Sequence, residues 1–531
     1  MSPAPSKDEL LAELAGHDLP AALLDRVSSK LRQLEYAEQK VQLLEERLRW
    51  QRLQKYGPGS EKLSNLQLEL LEQEPGVSQA EVQAEVQAEG ERDKPAARSG
   101  PRAKRSHPGR QSLPESLPRV ERVIGCTGEQ CICSHCRKQT ATIGYDKSEH
   151  LEVEPAKYFV VVTLREKRAC SHCGEAGVVA APLAPRIVEK GLVSDQIVIE
   201  TLIRKYSDHL PLYRQSAMLE RDAGVEISRS TMDGWVMRVG ELLLLLVVAM
   251  KRELLAGTYL QADETPLQVQ LHPGQGANHQ AYLWQYGRPQ ASTVFDFRMG
   301  RGRDGPRKFL GRYEGILQTD GYAAYERVGG PGMIHAACWS HARRKFYEAA
   351  QLHPADVVVT GIVAQINELF AIDARARAQQ LDHAARHRLR QEEATPLLEK
   401  LREQIKTALH GALPASALSK ACNYTLALWQ KLTRFLDHPQ LELSNNLAEN
   451  SMRPIALGRK NWIHLGSEQA GPKIAAILSV METCKRLHLP ARDYLADVLP
   501  QLADLPTTQL DSITPAAWKT AQSLKASTGL L

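Results

Sequence analysis

Hydrophobic and polar positions change period several times along this chain, and each change marks a candidate element. Over residues 23–56, Val27, Leu34, Val41 and Leu48 fall seven apart, with Leu24, Leu31 and Leu44 widening the stripe. Glu, Gln, Lys and Arg fill the other positions, which predicts an amphipathic or coiled-coil helix. Glu38 and Glu45 interrupt its second seam, and Gly57-Pro58-Gly59-Ser60 ends it. From 61 to 118 apolar residues thin out. QAEV repeats over 79–90 yield to a basic stretch holding Arg98, Arg102, Lys104 and Arg105. So little apolar surface cannot offset ordering entropy, which predicts a disordered linker, either a phosphate-tracking arm or a solubilising tether.

Beyond the linker the pattern turns helical over 187–256, strand-like over 258–271, 280–297 and 315–319, and helical again over 343–440. Ile362, Ile366 and Leu369, then Leu397, Leu401 and Ile405, carry the helical spacing of that last stretch, and the chain closes with helices punctuated by proline. Strands clustered between 258 and 338 with helices on both sides predict a mixed α/β core carrying a large all-α insertion.

Length and charge narrow the class. At ~100–200 residues per domain, 531 residues imply three or four folded units. Lys+Arg 67 against Asp+Glu 62 leaves only +5, so the placement of charge matters more than its sum. The longest apolar run, Leu242 to Met250, is half of the ~20 residues a bilayer requires and reads as a buried helix. The N-terminus, MSPAPSKDELLAEL, carries acidic residues where a secretory signal has an apolar core, so a cytoplasmic protein without a membrane partner is expected.

Nine cysteines include two near-duplicate pairs, Cys133-Ser-His-Cys136 and Cys170-Ser-His-Cys173. Four thiolates from two such knuckles, separated by a β-rich stretch at Leu151–Leu164, can close a tetrahedron around structural zinc. Such a ribbon has almost no core without its metal and is a binding module, with DNA the usual partner. Cys126 and Cys131 precede it as spare or alternate ligands. Next, residues 212–239 read as a helix-turn-helix. Gly224 closes the first helix, Ser228 or Ser230 caps the second, Arg229, Ser230, Thr231 and Asp233 stand at its start, and Trp235 and Val236 bury. Many such helix pairs only pack; the neighbouring ribbon and basic arm favour the DNA-reading version.

Three carboxylates stand in unusual settings. Asp263 lies in an apolar-rich strand, Asp320 ends a second strand, and Glu449 shares a helix face with Asn446, Asn450 and Arg453, with Pro454 ending or kinking that helix. An unpaired carboxylate in such a strand is costly to bury, and three hard oxygen donors that converge suit the two-metal cleavage of a phosphodiester.

The strings YLQADETPLQV, LQTDGYAAY, CWSHARRKF and NNLAENSMRPIALGRKNW, with KYGPGSEKLS, the paired cysteines and LPLYRQ…SRSTMDGWV, resemble the DDE transposases of the insertion-sequence sixty-six family. The resemblance covers nearly the whole chain except the QAEV linker and the last residues. It implies a multidomain α/β protein with an RNase H-like (retroviral-integrase-like) core, in which Asp263, Asp320 and Glu449 hold magnesium or manganese at a two-metal site. Asn450 stands where the family often has Arg, which puts one phosphate contact in question. The resemblance also pairs Cys338 with His341 as C-x-x-H after the second Asp strand; His341 then either positions DNA, tunes the acid–base environment, or simply packs.

The expected organisation is a helical or coiled-coil segment at 1–60, the linker at 61–120, a zinc ribbon at 121–185 and helix-turn-helix-like helices at 186–256. The core follows in two parts, 257–342 and 441–485, split by the insertion at 343–440 and closed by a helical tail at 486–531. Double-stranded DNA, both element ends and target, is the expected partner. Arg102, Lys104, Arg105, Arg229, Ser230, Arg343, Arg344, Lys345, Arg453, Arg459 and Lys460 are its candidate contacts, with oligomerisation through the coiled coil and accessory proteins of the same element possible. The expected activity is strand cleavage and transfer; the rival reading is a transposase-derived DNA-binding regulator.

Overall fold

The computed structural model describes residues 17, 20–56, 118–121, 123–124, 126, 131–132, 135, 137–139, 142–148, 156–169, 178–189, 191–271, 278–462 and 464–527. The chain divides into two compact units, one formed by Met1–Asp93 with Leu183–Leu531 and the other by Lys94–Pro182. The expected zinc ligands Cys133, Cys136, Cys170 and Cys173, the basic-arm residues Arg102, Lys104 and Arg105, and the QAEV repeats lie outside the described residues.

The large unit begins with helix α1 (Ala21–Tyr56). Leu24, Val27 and Leu31 of its heptad are half-buried, whereas Leu34, Val41, Leu44 and Leu48 stay exposed. In the smaller unit, β1 (Lys167–Ala169) pairs antiparallel with β2 (Val178–Ala180), and an isolated bridge joins Ile132 to Gln139. These pairings flank the two cysteine pairs. Tyr158 to Leu164, expected as strand, is exposed and joins no ladder among the described residues, because β-branched composition makes a strand only where a neighbour supplies hydrogen bonds.

Three helices lead into the core: α2 (Asp195–Tyr206), α3 (Leu212–Ala223) and α4 (Arg229–Leu255). Gly224 ends α3 at φ +66°, a conformation a side chain disfavours, and the Ser228 hydroxyl caps α4 by accepting the Thr231 N–H at 3.2 Å. Trp235 and Val236 are buried, and Arg229 and Ser230 are exposed at the start of α4.

The sheet consists of β3 (Tyr259–Val269), β4 (His279–Gly287), β5 (Thr293–Arg298), β6 (Ile316–Thr319) and β7 (Ile334–Ala337), in the order β5-β4-β3-β6-β7. β3, β4 and β5 form an antiparallel meander; β6 and β7 continue parallel to β3 after helix α5 (Asp304–Leu310). β7 escaped the sequence pattern, since its four residues become a strand only along the edge that β6 offers.

The insertion and return comprise α6 (Trp339–Leu352), α7 (Val357–Ala378), α8 (His383–Leu389), a π-turn at Arg390–Ala394, α9 (Thr395–Gly411), α10 (Ala417–Ala427), α11 (Trp429–Leu432) and α12 (Asn446–Trp462). After them come α13 (Ala470–Arg486), α14 (Ala491–Leu502) and α15 (Pro515–Ser527). The helix bearing Glu449 is longer than expected: α12 runs through Pro454 to Trp462, with Met452, Ile455 and Gly458 buried on both sides of the proline. One missing N–H is tolerated where packing holds both flanking turns.

Two apolar cores sandwich the sheet. Leu260, Ala262 and Leu317 join α2–α4, α13 and α14, while Tyr259, Ile316, Ala336 and Ala337 join α6, α7, α9 and α10. Helix α7 is the one described helix long and apolar enough to cross a membrane; here Ile362, Ile366 and Leu369 bury in the second core. Gly240 sets how closely α4 approaches α13, since a Cβ there would lie 2.7 Å from Lys473 Cβ and 2.9 Å from its carbonyl oxygen. Gly240→Ala is therefore expected to cost about 1–3 kcal/mol, read as a lowered thermal midpoint; an unchanged midpoint would show that the helices can separate freely.

Candidate active site

The strand sequences Tyr259-Leu-Gln-Ala-Asp263 and Ile316-Leu-Gln-Thr-Asp320 are nearly the same pattern, and the sheet sets them side by side. Tyr259 pairs with Ile316 and Gln261 with Gln318 in parallel register. Side chains alternate between faces, so Tyr259, Gln261 and Asp263 share one face with Ile316, Gln318 and Asp320. Adjacent strands lie about 4.8 Å apart, and the same register carried two residues on sets Asp263, midway along β3, beside Asp320, just past the end of β6.

The two buried glutamines connect this face to the third carboxylate. Gln261 Nε2 donates to the Ser444 carbonyl at 2.9 Å and to Tyr259 Oη at 2.7 Å. Gln318 Nε2 donates to the Glu442 carbonyl at 2.8 Å, and the Trp339 N–H donates to the Leu443 carbonyl at 2.9 Å. Residues 441–446 are thereby strapped across the ends of β3, β6 and β7, and α12 starts where the strap ends. Glu449 sits in its first turn, where the helix dipole favours an anion. Its Oε1 lies 3.6 Å from Nδ1 of His341, on the first turn of α6.

The fold visibly changes the proton affinity of the Asp263 carboxyl. Burial pushes the Asp263 carboxyl up to about 8, helped by the nearby Glu449, Glu264 and Asp320 carboxylates. Glu264 is also raised by burial, but Arg301 and Tyr325 oppose the shift: Arg301 donates to its Oε1 at 3.0 and 2.7 Å, and Tyr325 to its Oε2 at 2.8 Å. Asp263 forms no ion pair among the described residues. Asp320 accepts the Tyr322 N–H at 2.8 Å, and its carbonyl accepts from the Tyr424 hydroxyl. Among the described residues, the one group of possible metal donors lying within 4.8 Å of one another is Cys338, His341 and Glu449; Asp263 and Asp320 stand outside it.

The basic residues divide. Lys345 lies 4.6 Å from the Tyr424 ring centre, next to Asp320, and Arg344 is exposed, whereas Arg343 donates to Asn367 in the insertion. On α12, Arg453 and Lys460 are exposed and Arg459 donates to the Pro266 carbonyl of β3. Arg229 and Ser230 stand apart, at the start of α4. Sequence reasoning missed the glutamines, Glu264, Arg301 and Glu442. The signal for the first was the repeated Gln two residues before each Asp, a polar group inside an apolar strand.

Residues 190–473 match the family described as Transposase IS66 family, 43–122 match Transposase C of IS166 homeodomain, and 130–174 match the zinc-finger binding domain of transposase IS66. The last match places a zinc-finger domain over the paired cysteines. Similar proteins come from Sinorhizobium fredii (strain NBRC 101917 / NGR234). Uncharacterized protein y4qI is 34% identical over 441 residues, 79% of each chain, and y4jD is 31% identical over 438 residues, 78% of this chain and 84% of its own. Uncharacterized protein y4hP is 28% identical over 511 residues, 92% of this chain and 89% of its own. The chain belongs to the IS66 transposase family.

Proposed function

We propose that this protein is a DNA transposase that cleaves transposon ends and joins them to target DNA in a magnesium-dependent reaction, on an RNase H-like core. The observation that supports the reading is the parallel register of the strands carrying Asp263 and Asp320, together with the Glu449 and Asp320 charges that help raise the Asp263 carboxyl. A sheet with three antiparallel strands continued by two parallel ones, with helices on both faces, supports the RNase H-like assignment.

Asp263, Asp320 and Glu449 would hold magnesium or manganese. When bound, the cations supply an activated water or 3′-hydroxyl and neutralise charge on the leaving oxygen. The chain's own groups provide the geometry: Gln261 and Gln318 fix the strap, Tyr322 N–H orients the Asp320 carboxylate, and His341 faces Glu449. Exposed Arg344, Arg453 and Lys460 supply positive charge for phosphates, and Arg229 and Ser230 stand where a recognition helix meets DNA. The four ribbon cysteines would hold structural zinc, and the basic arm would add affinity without sequence preference. Exposed Leu34, Val41, Leu44 and Leu48 support pairing of two copies through α1.

The deciding experiment incubates the protein with magnesium, DNA carrying the element's ends and a target plasmid. Joined products support the transposase; salt-sensitive DNA binding without cutting supports the regulator.

Metal-free stability should also depend on pH through Asp263. A carboxyl pushed from 3.8 to about 8 keeps its proton longer in the folded chain than in the unfolded one. The folded state therefore binds more protons between those values, and its stability falls as pH rises from about 4 to about 8. Asp263→Asn should remove that slope, and magnesium should offset it in the wild type by binding only the folded chain. Thermal midpoints at about pH 6 and about pH 9 test this; the same slope in the variant would refute the assignment.

A further inference from the structure

Cys338 and His341 are one helical turn apart at the start of α6, so their side chains face the same way. Glu449 meets them from α12. The Cys338 sulfur, a His341 ring nitrogen and a Glu449 carboxylate oxygen all lie within 4.8 Å of one another. His341 Nδ1 is buried and makes no hydrogen bond, and its nearest anionic neighbour is Glu449 Oε1 at 3.6 Å. That gap is too long for a hydrogen bond, yet it is close to the ~3.3–3.6 Å between two ligands on one tetrahedral ion with bonds of about 2.0–2.3 Å. The Asn445 N–H donates to the Cys338 sulfur at 3.4 Å, which fixes the sulfur in place beside the His341 ring.

We infer that Cys338, His341 and Glu449 form a second cation site, selective for a borderline-soft divalent ion of the zinc class, which draws Glu449 away from Asp263 and Asp320 while it is filled. Sulfur and imidazole favour zinc or cobalt over magnesium, whereas Asp263 and Asp320 offer only hard oxygen. Three protein ligands leave one position open to water or a phosphate oxygen. Binding displaces the Cys338 thiol proton to solvent, so filling strengthens as pH rises. Cys338 is buried while His341 and Glu449 are half-buried, so an ion reaches the site from the groove side. A cell could thus hold the protein inactive with a trace metal, magnesium being present throughout. The inhibitory half of this inference rests on the transposase reading; the binding half does not.

The test uses the full chain with its ribbon first saturated with zinc and the excess removed. Cobalt(II) is then titrated and followed by visible absorption. One further equivalent with a thiolate-to-cobalt charge-transfer band is expected. Cys338→Ser and His341→Gln should each weaken it by more than about 100-fold, beyond the cost of losing an outer partner, and Asp263→Asn should leave it intact. The two variants guard against misreading a folding defect, which circular dichroism would expose in either. A missing band, or one unchanged in Cys338→Ser, overturns the site. In cleavage assays with excess magnesium, zinc should slow the wild type at least ten-fold and leave Cys338→Ser unaffected; equal inhibition of both overturns the inhibitory half. A wild type that never cuts with magnesium alone refutes the transposase reading, and the cobalt titration still decides the site.

Discussion

Asp263→Asn, Asp320→Asn and Glu449→Gln are each expected to lower magnesium-dependent strand cleavage by at least about 1,000-fold while leaving affinity for end DNA within about two-fold. A loss of that size is about 4 kcal/mol of transition-state stabilisation, in keeping with removing one of three anionic oxygens that would hold the cations. The amides are chosen so that the fold cannot be blamed. Asp263 titrates near 8 without metal, so a neutral side chain of the same shape is close to what the folded chain already prefers. Asn at 320 retains an oxygen for the Tyr322 N–H, and Gln at 449 keeps the first turn of α12. Cleavage measured on labelled end DNA, beside a filter-binding curve for each variant, gives both quantities. Should any of the three retain more than about one-tenth of wild-type cutting, the two-metal assignment fails.

The segments bearing the candidate acids are easier to pick out in the sequence than the scaffold that holds them. Asp263 and Asp320 stood out because each interrupts or ends an apolar run, and the helix caps at Gly224 and Ser228 were readable from residue type alone. Three segments depart from their local pattern for one cause. Tyr158 to Leu164 has the composition of a strand but joins no ladder among the described residues, β7 has little such composition yet completes one, and Pro454, a residue that ends or kinks a helix, lies inside α12. In each case the neighbours decided, and neighbours are not local in sequence. Gln261 and Gln318 carry no local signal of a shared role; the parallel register sets them side by side under the strap. His341 and Glu449, 108 positions apart in the chain, become neighbours only through the insertion's return.

That return rests on a charge cluster that no periodicity could have revealed, and breaking it should give the largest stability effect. Asp373 on α7 and Arg390 at the π-turn are both nearly inaccessible. Arg390 donates to Asp373 at 2.7 and 2.9 Å and to the carbonyls of Phe435 and Leu441 at 2.9 and 2.8 Å. Arg386 bridges Asp373 and Glu442, and Arg377 does the same. Burial alone would raise the Asp373 carboxyl; Arg390, Arg386 and Arg377 instead hold it at about 2. Asp373→Ala would strand a buried guanidinium, at an expected cost of about 3–5 kcal/mol in unfolding free energy. Replacing both partners, Asp373→Leu with Arg390→Met, should recover much of that loss, since the uncompensated charge disappears with its partner. The same contacts reach the candidate site, because Glu442 receives the arginines on its side chain and Gln318 on its carbonyl, two residues before Ser444. Asp373→Ala assayed well below its own thermal midpoint should therefore still cut poorly, with DNA affinity kept, as a slackened strap lets Glu449 drift. The double variant separates the two effects: it should regain stability without regaining full cleavage, since Met cannot hold the carbonyls of Phe435 and Leu441. A denaturant midpoint for Asp373→Ala within about 1 kcal/mol of wild type would show that the cluster is not what holds the insertion to the core.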